Sequence, residues 1–333
     1  MLATIFGFID IEGLRKYQKA MLIVGKKNGK SLISSGVGLY MQCADGESGP
    51  EIYSAATKKD QAKIIWLESK RMVKKSPTLS KKVKALVAEL DSDFNDGVFK
   101  PLSSDSDTLD GLNIHCALMD EFHQWKNGRP LYDILADGIS AREQPLIFMT
   151  STAGVIREDI YDQEYDDATT LIDSYDNPDI VTDERTIWFI YELDSRNEWT
   201  DEKCWYKANP GLGTIKKYSY LKEKVDKAKQ NPRLVKNLLC KEFNIRETSG
   251  EAWLTYEQAN NTETFDISVL KPKYGIGGAD LSSTTDLTAA KIIFKFPGNN
   301  KIYVLQMYWM PEDNLQKRID EDKIPYDQWV DRG

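Results

Sequence analysis

The chain has 333 residues, of which 41% are hydrophobic and 29% charged, so it can bury a sizeable core and divide into about two domains. A formal net charge of −8 at pH 7 excludes a protein that coats nucleic acid over its whole surface. Its apolar stretches are too short to cross a bilayer and its four cysteines form no CxxC pair, so we expect a soluble intracellular protein without membrane contact, zinc or disulfides.

Apolar runs alternate with amphipathic stretches along the first part of the chain. The apolar runs predict buried strands at residues 20–24, 51–56, 116–119, 146–149 and 187–191. The amphipathic stretches predict helices at residues 31–41 and 61–75. This order favours an α/β fold in which a parallel sheet is flanked by crossover helices.

A phosphate-binding loop is predicted between the first strand and the first helix, where the sequence reads Val24-Gly-Lys-Lys-Asn-Gly-Lys-Ser31. Glycines let backbone N–H groups turn toward phosphate oxygens, and the following helix adds its positive end. We predict that Lys30 reaches the terminal phosphates and that the Ser31 hydroxyl coordinates Mg²⁺. The first glycine comes one residue later than in GxxxxGK[ST], so a chance turn is the alternative. The predicted nucleotide-binding residues are Gly25, Lys26, Lys27, Asn28, Gly29, Lys30 and Ser31.

Two adjacent carboxylates close the apolar strand that ends with Ala117-Leu-Met-Asp-Glu121. Because ligands bind at strand ends in open parallel sheets, Asp120 is predicted to hold Mg²⁺ through water. Glu121 is predicted to orient and deprotonate the water that attacks the γ-phosphate of ATP. Two solvated acids at a helix start are the alternative interpretation. The two histidines, His115 and His123, are predicted to be structural.

The strand at residues 146–149 leads into three hydroxyl residues, Thr150, Ser151 and Thr152. They could sense the γ-phosphate and pass its state to the part of the protein that grips DNA, or they could be ordinary turn residues. The order of phosphate loop, acidic strand and hydroxyl-bearing strand is that of P-loop NTPases of the RecA/ASCE-like type. It therefore predicts an ATPase.

Charge is distributed unevenly along the chain. Residues 58–84 hold ten basic and two acidic residues, and residues 216–246 hold ten basic and three acidic residues. Between them, residues 158–202 hold sixteen acids and two arginines. The basic segments suggest contact with a phosphate backbone, although solvated helix faces explain such runs equally well.

A second sheet is predicted after a helical stretch. Residues 218–230 and 232–242 are predicted as helices, and residues 274–280, 288–296 and 301–309 as strands of an antiparallel meander. We therefore divide the chain into a P-loop ATPase motor domain at 1–205, a helical linker region at 206–265 and a further domain at 266–333.

Several strings resemble the large subunit of tailed-bacteriophage terminases, and they cover nearly the whole chain. They are the loop at residues 25–31, the segments at 110–113 and 117–125, Thr-Ser-Thr-Ala-Gly at 150–154, the segments at 208–213 and 242–244, and Gly-Gly-Ala-Asp with its neighbours at 277–288. The last string is similar to the first strand of that family's RNase H-like nuclease. The resemblance implies that Asp280 is catalytic and binds the two nuclease metals, Mg²⁺ or Mn²⁺.

The resemblance also implies a role in the phage life cycle. It implies ATP-driven packaging of double-stranded DNA into a procapsid, by a homo-oligomeric ring that works with the small terminase subunit and the portal protein. The place of action would be the host bacterial cytoplasm, transiently at the procapsid portal. Lys26 and Arg142 are candidates for a basic residue that acts on the neighbouring subunit's nucleotide, and the alternative is that both are simply surface charges.

Compared with the family pattern, the chain is expected to be truncated at both ends. It begins close to the phosphate loop and ends soon after Asp280, where the family has further metal-binding carboxylates. We therefore expect an incomplete nuclease that cannot cut DNA unaided. The alternatives are another P-loop helicase or translocase, or a non-catalytic prophage remnant.

Overall fold

The computed structural model describes residues 1–104, 111–156, 159–177, 183–248, 263–267, 272, 274–282, 287–315, 318, 326 and 330. The chain separates into two compact units, Met1–Glu251 and Ala252–Gly333. Residues 206–251 thus belong to the first unit, whereas the sequence predicted a separate linker region over 206–265. Among the described residues no helix is both long and apolar enough to span a bilayer.

The first unit is built on a twisted sheet of eight strands in the order β3-β4-β5-β2-β6-β7-β1-β9. The strands of this unit are β1 (Lys19–Ile23), β2 (Glu51–Ala56), β3 (Lys84–Ala85), β4 (Leu90–Ser92), β5 (Gly97–Ser103), β6 (Ile114–Met119), β7 (Leu146–Ser151), β8 (Val155–Ile156), β9 (Thr186–Ile190) and β10 (Glu247–Thr248). From β5 to β9 all neighbours run parallel, while β3 and β4 form an antiparallel edge. The central strands β6 and β7 are buried at every position, as expected for strands covered on both faces.

Helices cover both faces of this sheet. They are α1 (Leu2–Gly7), α2 (Lys30–Cys43), α3 (Lys59–Lys75), α4 (Arg129–Asp137), α5 (Ile160–Ser174), α6 (Trp205–Ala208), α7 (Tyr218–Gln230) and α8 (Val235–Glu242). One core lies on the α2 and α3 side, around Leu22, Ile65 and Phe148. The other lies on the α4 and α5 side, around Met149 and Ile160. The α/β fold with a parallel sheet and flanking helices is thus confirmed.

The segment from α6 to α8 forms a third apolar cluster that includes Trp205, Leu221 and Phe243. It is tied to the sheet through Asn244, whose Nδ2 donates to the Tyr191 carbonyl at 2.7 Å and whose Oδ1 accepts from the Ala153 N–H at 3.1 Å. The parallel pairing of β8 with β10 adds a backbone connection beside it. These contacts hold the helical segment against the carboxyl edge of the sheet.

The second unit contains a three-stranded antiparallel sheet in the order β11-β12-β13, which is the meander that the sequence predicted. Its strands are β11 (Ile276–Asp280), β12 (Thr288–Phe294) and β13 (Tyr303–Trp309). Phe294 stacks on Tyr303 with ring centroids 5.5 Å apart, and Phe265 contacts both rings edge-on. Aromatic pairs across neighbouring strands are a typical source of sheet stability.

Candidate nucleotide-binding site

Three parallel strands bring the predicted motor residues to one edge of the sheet. Strand β7 lies between β1 and β6, with Ile23 paired to Ser151 and Met119 paired to Met149. The phosphate loop follows β1 and the two carboxylates follow β6. The carboxyl ends of parallel strands share an edge, so these groups converge there.

The backbone of the loop is shaped for an anion at the start of α2. Gly29 caps that helix with a φ of 84°, in the left-handed region that glycine occupies at little cost. Lys27 also has a positive φ, 69°. The unpaired N–H groups in the first turn of α2 make this end attractive to phosphate.

The Lys30 side chain is buried and directed along the loop. It is 6% exposed, its Nζ donates to the Val24 carbonyl at 3.4 Å and lies 4.0 Å from Glu121 Oε1. Burial lowers the pKa of Lys30, and the charges of Glu121 and Asp120 oppose that shift. Both contacts are long and therefore weak, so the ammonium group can still form a stronger hydrogen bond with an anion such as a phosphate.

Ser31, Asp120 and Thr150 form a chain of hydrogen bonds across the site. Ser31 Oγ donates to Asp120 Oδ2 at 3.2 Å, and Thr150 Oγ1 donates to Asp120 Oδ1 at 2.8 Å. Burial raises the pKa of Asp120, as does the neighbouring charge of Glu121, while the Thr150 hydrogen bond lowers it. A hydroxyl and a carboxylate thus meet where a metal-bound triphosphate would need them.

Glu121 is held in an uncommon backbone conformation directly after β6. Its φ is 47° and its ψ is 44°, in the left-handed region that costs non-glycine residues about 1–3 kcal/mol. Its Oε2 is buried and, in the described part of the chain, has no hydrogen bond, although His123 Nδ1 lies 3.5 Å away. A carboxylate with one oxygen near Lys30 and the other without a hydrogen bond is suited to accept a proton from water.

Asn28 fastens the loop to the helical segment. Its Nδ2 donates to the Gly25 carbonyl at 2.8 Å and to Asn209 Oδ1 at 2.9 Å, and its Oδ1 accepts from the Gly211 N–H at 3.1 Å. The Lys26 N–H donates to the Lys241 carbonyl at 2.8 Å. Hydrogen bonds therefore hold the loop against residues that follow it by about two hundred positions in the sequence. Folding must bring these remote segments together.

A buried ion pair underlies that contact. Lys216 Nζ donates to Glu242 Oε2 at 2.7 Å and to Asn209 Oδ1 at 2.6 Å, and Lys224 also pairs with Glu242. Burial alone would raise the pKa of Glu242, but the charges of Lys216 and Lys224 outweigh it and lower that pKa. Glu242 therefore stays ionised within the protein.

The remaining predicted residues differ in their surroundings. Ser151 Oγ accepts from the His123 N–H at 3.0 Å, and Thr152 Oγ1 lies 3.5 Å from the His123 ring. Asp280 is exposed at the end of β11 in the second unit. No group of three or more His, Cys, Asp or Glu residues forms a metal site within the ranges that the structure describes, and residues 283–286 of the nuclease-like string lie outside them.

Arg142 does not have the freedom that a residue acting on a neighbouring subunit needs. Its side chain is 8% exposed and pairs with Glu47, while its guanidinium donates to the carbonyls of Ser48, Gly49 and Asn113. It precedes β7, so it lies near the amino ends of the strands, away from the phosphate loop. These contacts argue against Arg142 as a basic finger, because its donors are already bound within this chain.

The sequence interpretation missed the residues that support the loop and the acid. Asn209, Lys216 and Glu242 are remote in sequence from the loop, and only the strings at 208–213 and 242–244 marked their neighbourhood. His123 was predicted to be structural, but it contacts Glu121 directly. Its position two residues after Glu121 was the available signal.

The geometry fits a nucleotide with Mg²⁺. The Ser31 hydroxyl and the Asp120 carboxylate are the ligand types that Mg²⁺ takes alongside phosphate oxygens and water. Lys30 and the N-terminal turn of α2 supply positive charge for the phosphates. Gly25 has no room for a side chain, because a Cβ would lie 2.6 Å from both Asn209 Oδ1 and the Glu242 carbonyl.

Comparisons with known proteins match nearly the whole chain to one protein family. Residues 1–170 match the family model of the terminase large subunit ATPase domain, and residues 180–333 match that of the terminase large subunit endonuclease domain. The chain is 25% identical over 326 residues to the terminase large subunit of Enterobacteria phage HK97, covering 94% of this chain and 60% of the relative. It is 23% identical over 337 residues to the terminase large subunit of Lactococcus phage p2, covering 98% of this chain and 60% of the relative.

A solved structure shares the fold. The crystal structure of the HK97 bacteriophage large terminase aligns with a TM-score of 0.64 at 24% identity, covering 100% of this chain and 66% of that one. The chain thus spans about 60% of the length of the curated relatives it matches. A helicase would not match a terminase endonuclease model after its motor. With one model matching half of its length and a second matching most of the remainder, this chain belongs to the terminase large subunit family.

Proposed function

We propose that this chain hydrolyses ATP to move double-stranded DNA into a procapsid, as the motor of a phage packaging terminase. The observation that supports this most strongly is the convergence of Lys30, Ser31, Asp120 and Glu121 at one sheet edge, with Lys30 Nζ 4.0 Å from Glu121 Oε1. Family membership supplies the kind of work that the hydrolysis drives.

Each residue has a role that its chemistry allows. Lys30 and the N–H groups around Gly29 bind the phosphates, and Ser31 with Asp120 holds Mg²⁺, which would neutralise charge on them. Glu121 orients the attacking water and accepts its proton. Thr150 and Ser151 end the strand between the loop and the acid, and Thr152 follows it, so all three can couple the γ-phosphate to the rest of the motor.

The finer assignments extend this proposal. The active form is a ring of identical subunits that acts with the small terminase subunit and the portal protein in the host bacterial cytoplasm. Lys26 is the remaining candidate for a basic residue that reaches a neighbour's nucleotide. Asp280 takes part in the metal-dependent nuclease, with Mg²⁺ or Mn²⁺.

Phosphate release tests the proposal. Purified protein is assayed with ATP and Mg²⁺, with and without a DNA duplex, beside Lys30→Ala, Glu121→Ala and the control Lys74→Ala, which alters an exposed lysine at the end of α3. We expect DNA-stimulated hydrolysis in wild type and control, and at least about a hundredfold loss in both site variants. Wild-type release no faster than that of the site variants would leave a non-catalytic remnant instead.

A further inference from the structure

A basic cleft opens beside the end of β6 in the first unit. Its volume is about 900 Å³, and it lies between the loop after β2, the loop after β6 and the region of α8. Its charged lining residues are Lys58, Lys126, Arg233, Lys236 and Lys241. Within the described structure no carboxylate lines it, although the chain as a whole is acidic. Such a cleft concentrates positive potential and favours an anionic occupant.

Most of these cations are not neutralised by neighbours. Several other lysines of the unit do form ion pairs, as Lys207 does with Asp194 and Glu198 at 2.5 and 2.6 Å. In the described part of the chain, four cleft cations form no ion pair with a carboxylate. These four are Lys58, Lys126, Arg233 and Lys241. Unpaired charge gathered in a concave surface points to a ligand rather than to fold stability.

The cleft joins the two basic segments that the sequence marked separately. Lys58 begins the segment at 58–84, whereas Arg233, Lys236 and Lys241 belong to the segment at 216–246. The fold brings them into one cleft, together with Lys126, which lies between the two segments in the sequence. Cations spread over three separate loops and helices match a chain of phosphates better than one small anion.

His123 connects this cleft with the acid that acts on water. It lines the cleft, and its Nδ1 lies 3.5 Å from Glu121 Oε2 and 3.0 Å from Ser151 Oγ. Its ring packs against Gly154, where a Cβ would come within 2.8 Å of it, and edge-on against Tyr161 at 6.3 Å. The ring is therefore held between the cleft and the carboxylate.

We propose that the basic cleft binds the phosphodiester backbone of a nucleic acid, and that His123 is the positioning residue through which the filled cleft orients Glu121. This inference rests on the proposed function, since it regulates that function's hydrolysis step. An occupant that shifts Lys126 or the loop around Gln124 also shifts His123. Glu121 is then reoriented, because its Oε2 faces the His123 ring. DNA would then raise the rate of hydrolysis without touching the nucleotide.

DNA affinity tests the cleft. The triple variant Lys58→Ala/Lys126→Ala/Arg233→Ala is compared with Lys74→Ala/Lys75→Ala/Lys81→Ala, which removes three exposed lysines of the first basic segment outside the cleft. Binding of a labelled DNA duplex is measured over a series of salt concentrations. We expect the cleft variant to bind duplex about tenfold or more weakly than wild type. The slope of log affinity against log salt concentration should become shallower by up to about three, while both quantities are unchanged in the control. Equal affinities and slopes would overturn the assignment of the cleft.

The ratio of DNA-stimulated to basal phosphate release tests His123. We expect His123→Ala to bind duplex as wild type does but to lose most of the stimulation, and His123→Asn to regain part of it through its amide. An unchanged stimulation ratio in His123→Ala would overturn the positioning role. A lowered thermal midpoint with basal and DNA-stimulated rates reduced equally would also overturn it, because it would indicate a purely structural role. Wild-type protein that binds duplex through the cleft but releases no phosphate would refute the proposed function instead.

Discussion

Thr150 Oγ1 donates a 2.8 Å hydrogen bond to Asp120 Oδ1, and both side chains are almost fully buried. The bond joins the ends of β7 and β6, so the strand between the phosphate loop and the acidic strand supports the predicted metal ligand. Burial raises the pKa of Asp120, and this hydrogen bond is one of the contacts that oppose the shift. Thr150 therefore helps to keep Asp120 ionised.

Replacing Thr150 by valine removes that bond while keeping the shape of the side chain. We expect Thr150→Val to destabilise the protein by about 1.5–3 kcal/mol, since a buried charged acceptor loses a partner. The Mg²⁺ concentration for half-maximal ATP hydrolysis should rise, because Asp120 is less readily ionised and less well oriented. Thr150→Ser keeps the hydroxyl and serves as control. A Mg²⁺ requirement shared by the valine variant and wild type would contradict the role given to Thr150.

The close contact behind Gly25 predicts a sharp effect of one methyl group. In Gly25→Ala the new Cβ would lie 2.6 Å from the Glu242 carbonyl, a backbone atom, so the loop must move off the helical segment. We expect a loss of about 1–3 kcal/mol in stability and a large loss of ATP binding. In Gly36→Ala, inside α2, the added atom meets nothing within 4 Å, and stability should rise by up to about 1 kcal/mol. Thermal unfolding and nucleotide titration of both variants test this prediction. Wild-type stability and ATP affinity in Gly25→Ala would contradict it.

The buried pair of Lys216 and Glu242 predicts a pH-dependent contribution to folding. The pKa of Glu242 is lowered in the folded protein. Its charge therefore stabilises the fold above pH 4.5, the ordinary pKa of a glutamate, and this contribution is lost as the pH falls through the folded pKa. We expect Glu242→Gln to cost about 3–5 kcal/mol near neutral pH, and the difference from wild type to shrink below pH 4.5.

A matched control for this pair lies on the surface of α7. Glu223 pairs with Lys227 at 2.5 Å, with both side chains more than half exposed, so Glu223→Gln should leave stability close to that of wild type at every pH. The measurement is chemical denaturation of all three proteins over a series of pH values. A gap between Glu242→Gln and wild type that stays constant down to strongly acid pH would refute the assigned charge state.

The nuclease expectation has its own test. We predict that linearisation of plasmid DNA in Mg²⁺ or Mn²⁺ depends on Asp280, since two-metal cleavage needs carboxylates around the scissile phosphate. Wild type and Asp280→Ala are compared on an agarose gel, and we expect cutting by wild type to disappear in the variant. Equal cutting by both proteins would contradict the role given to Asp280.

Secondary structure around the site could be predicted from the sequence because its elements are strongly patterned. Strand β2 and helix α7 have the predicted bounds, Glu51–Ala56 and Tyr218–Gln230, and β7 begins at the predicted residue, Leu146. Motif spacing also placed Lys30 and Glu121 on the same sheet edge, since both follow buried parallel strands.

What the sequence did not indicate depends on contacts between remote segments. The antiparallel edge of β3 and β4 is too short to show a period, and neither strand was predicted. The hydrogen bonds from Asn28 to Asn209 and Gly211 join segments that local patterns treat separately. Arg142 was taken for a free cation because burial within a loop leaves no periodic signal in the sequence.

ATP binding by two variants tests most directly whether Lys30 and Glu121 act on one triphosphate. With labelled ATP and Mg²⁺, Glu121→Gln should bind as tightly as wild type and release phosphate at least about a hundredfold more slowly, because it lacks only the proton acceptor. Lys30→Ala should bind at least about tenfold more weakly, because the terminal phosphates lose their ammonium partner. Wild-type affinity in Lys30→Ala together with wild-type turnover in Glu121→Gln would contradict the motor assignment.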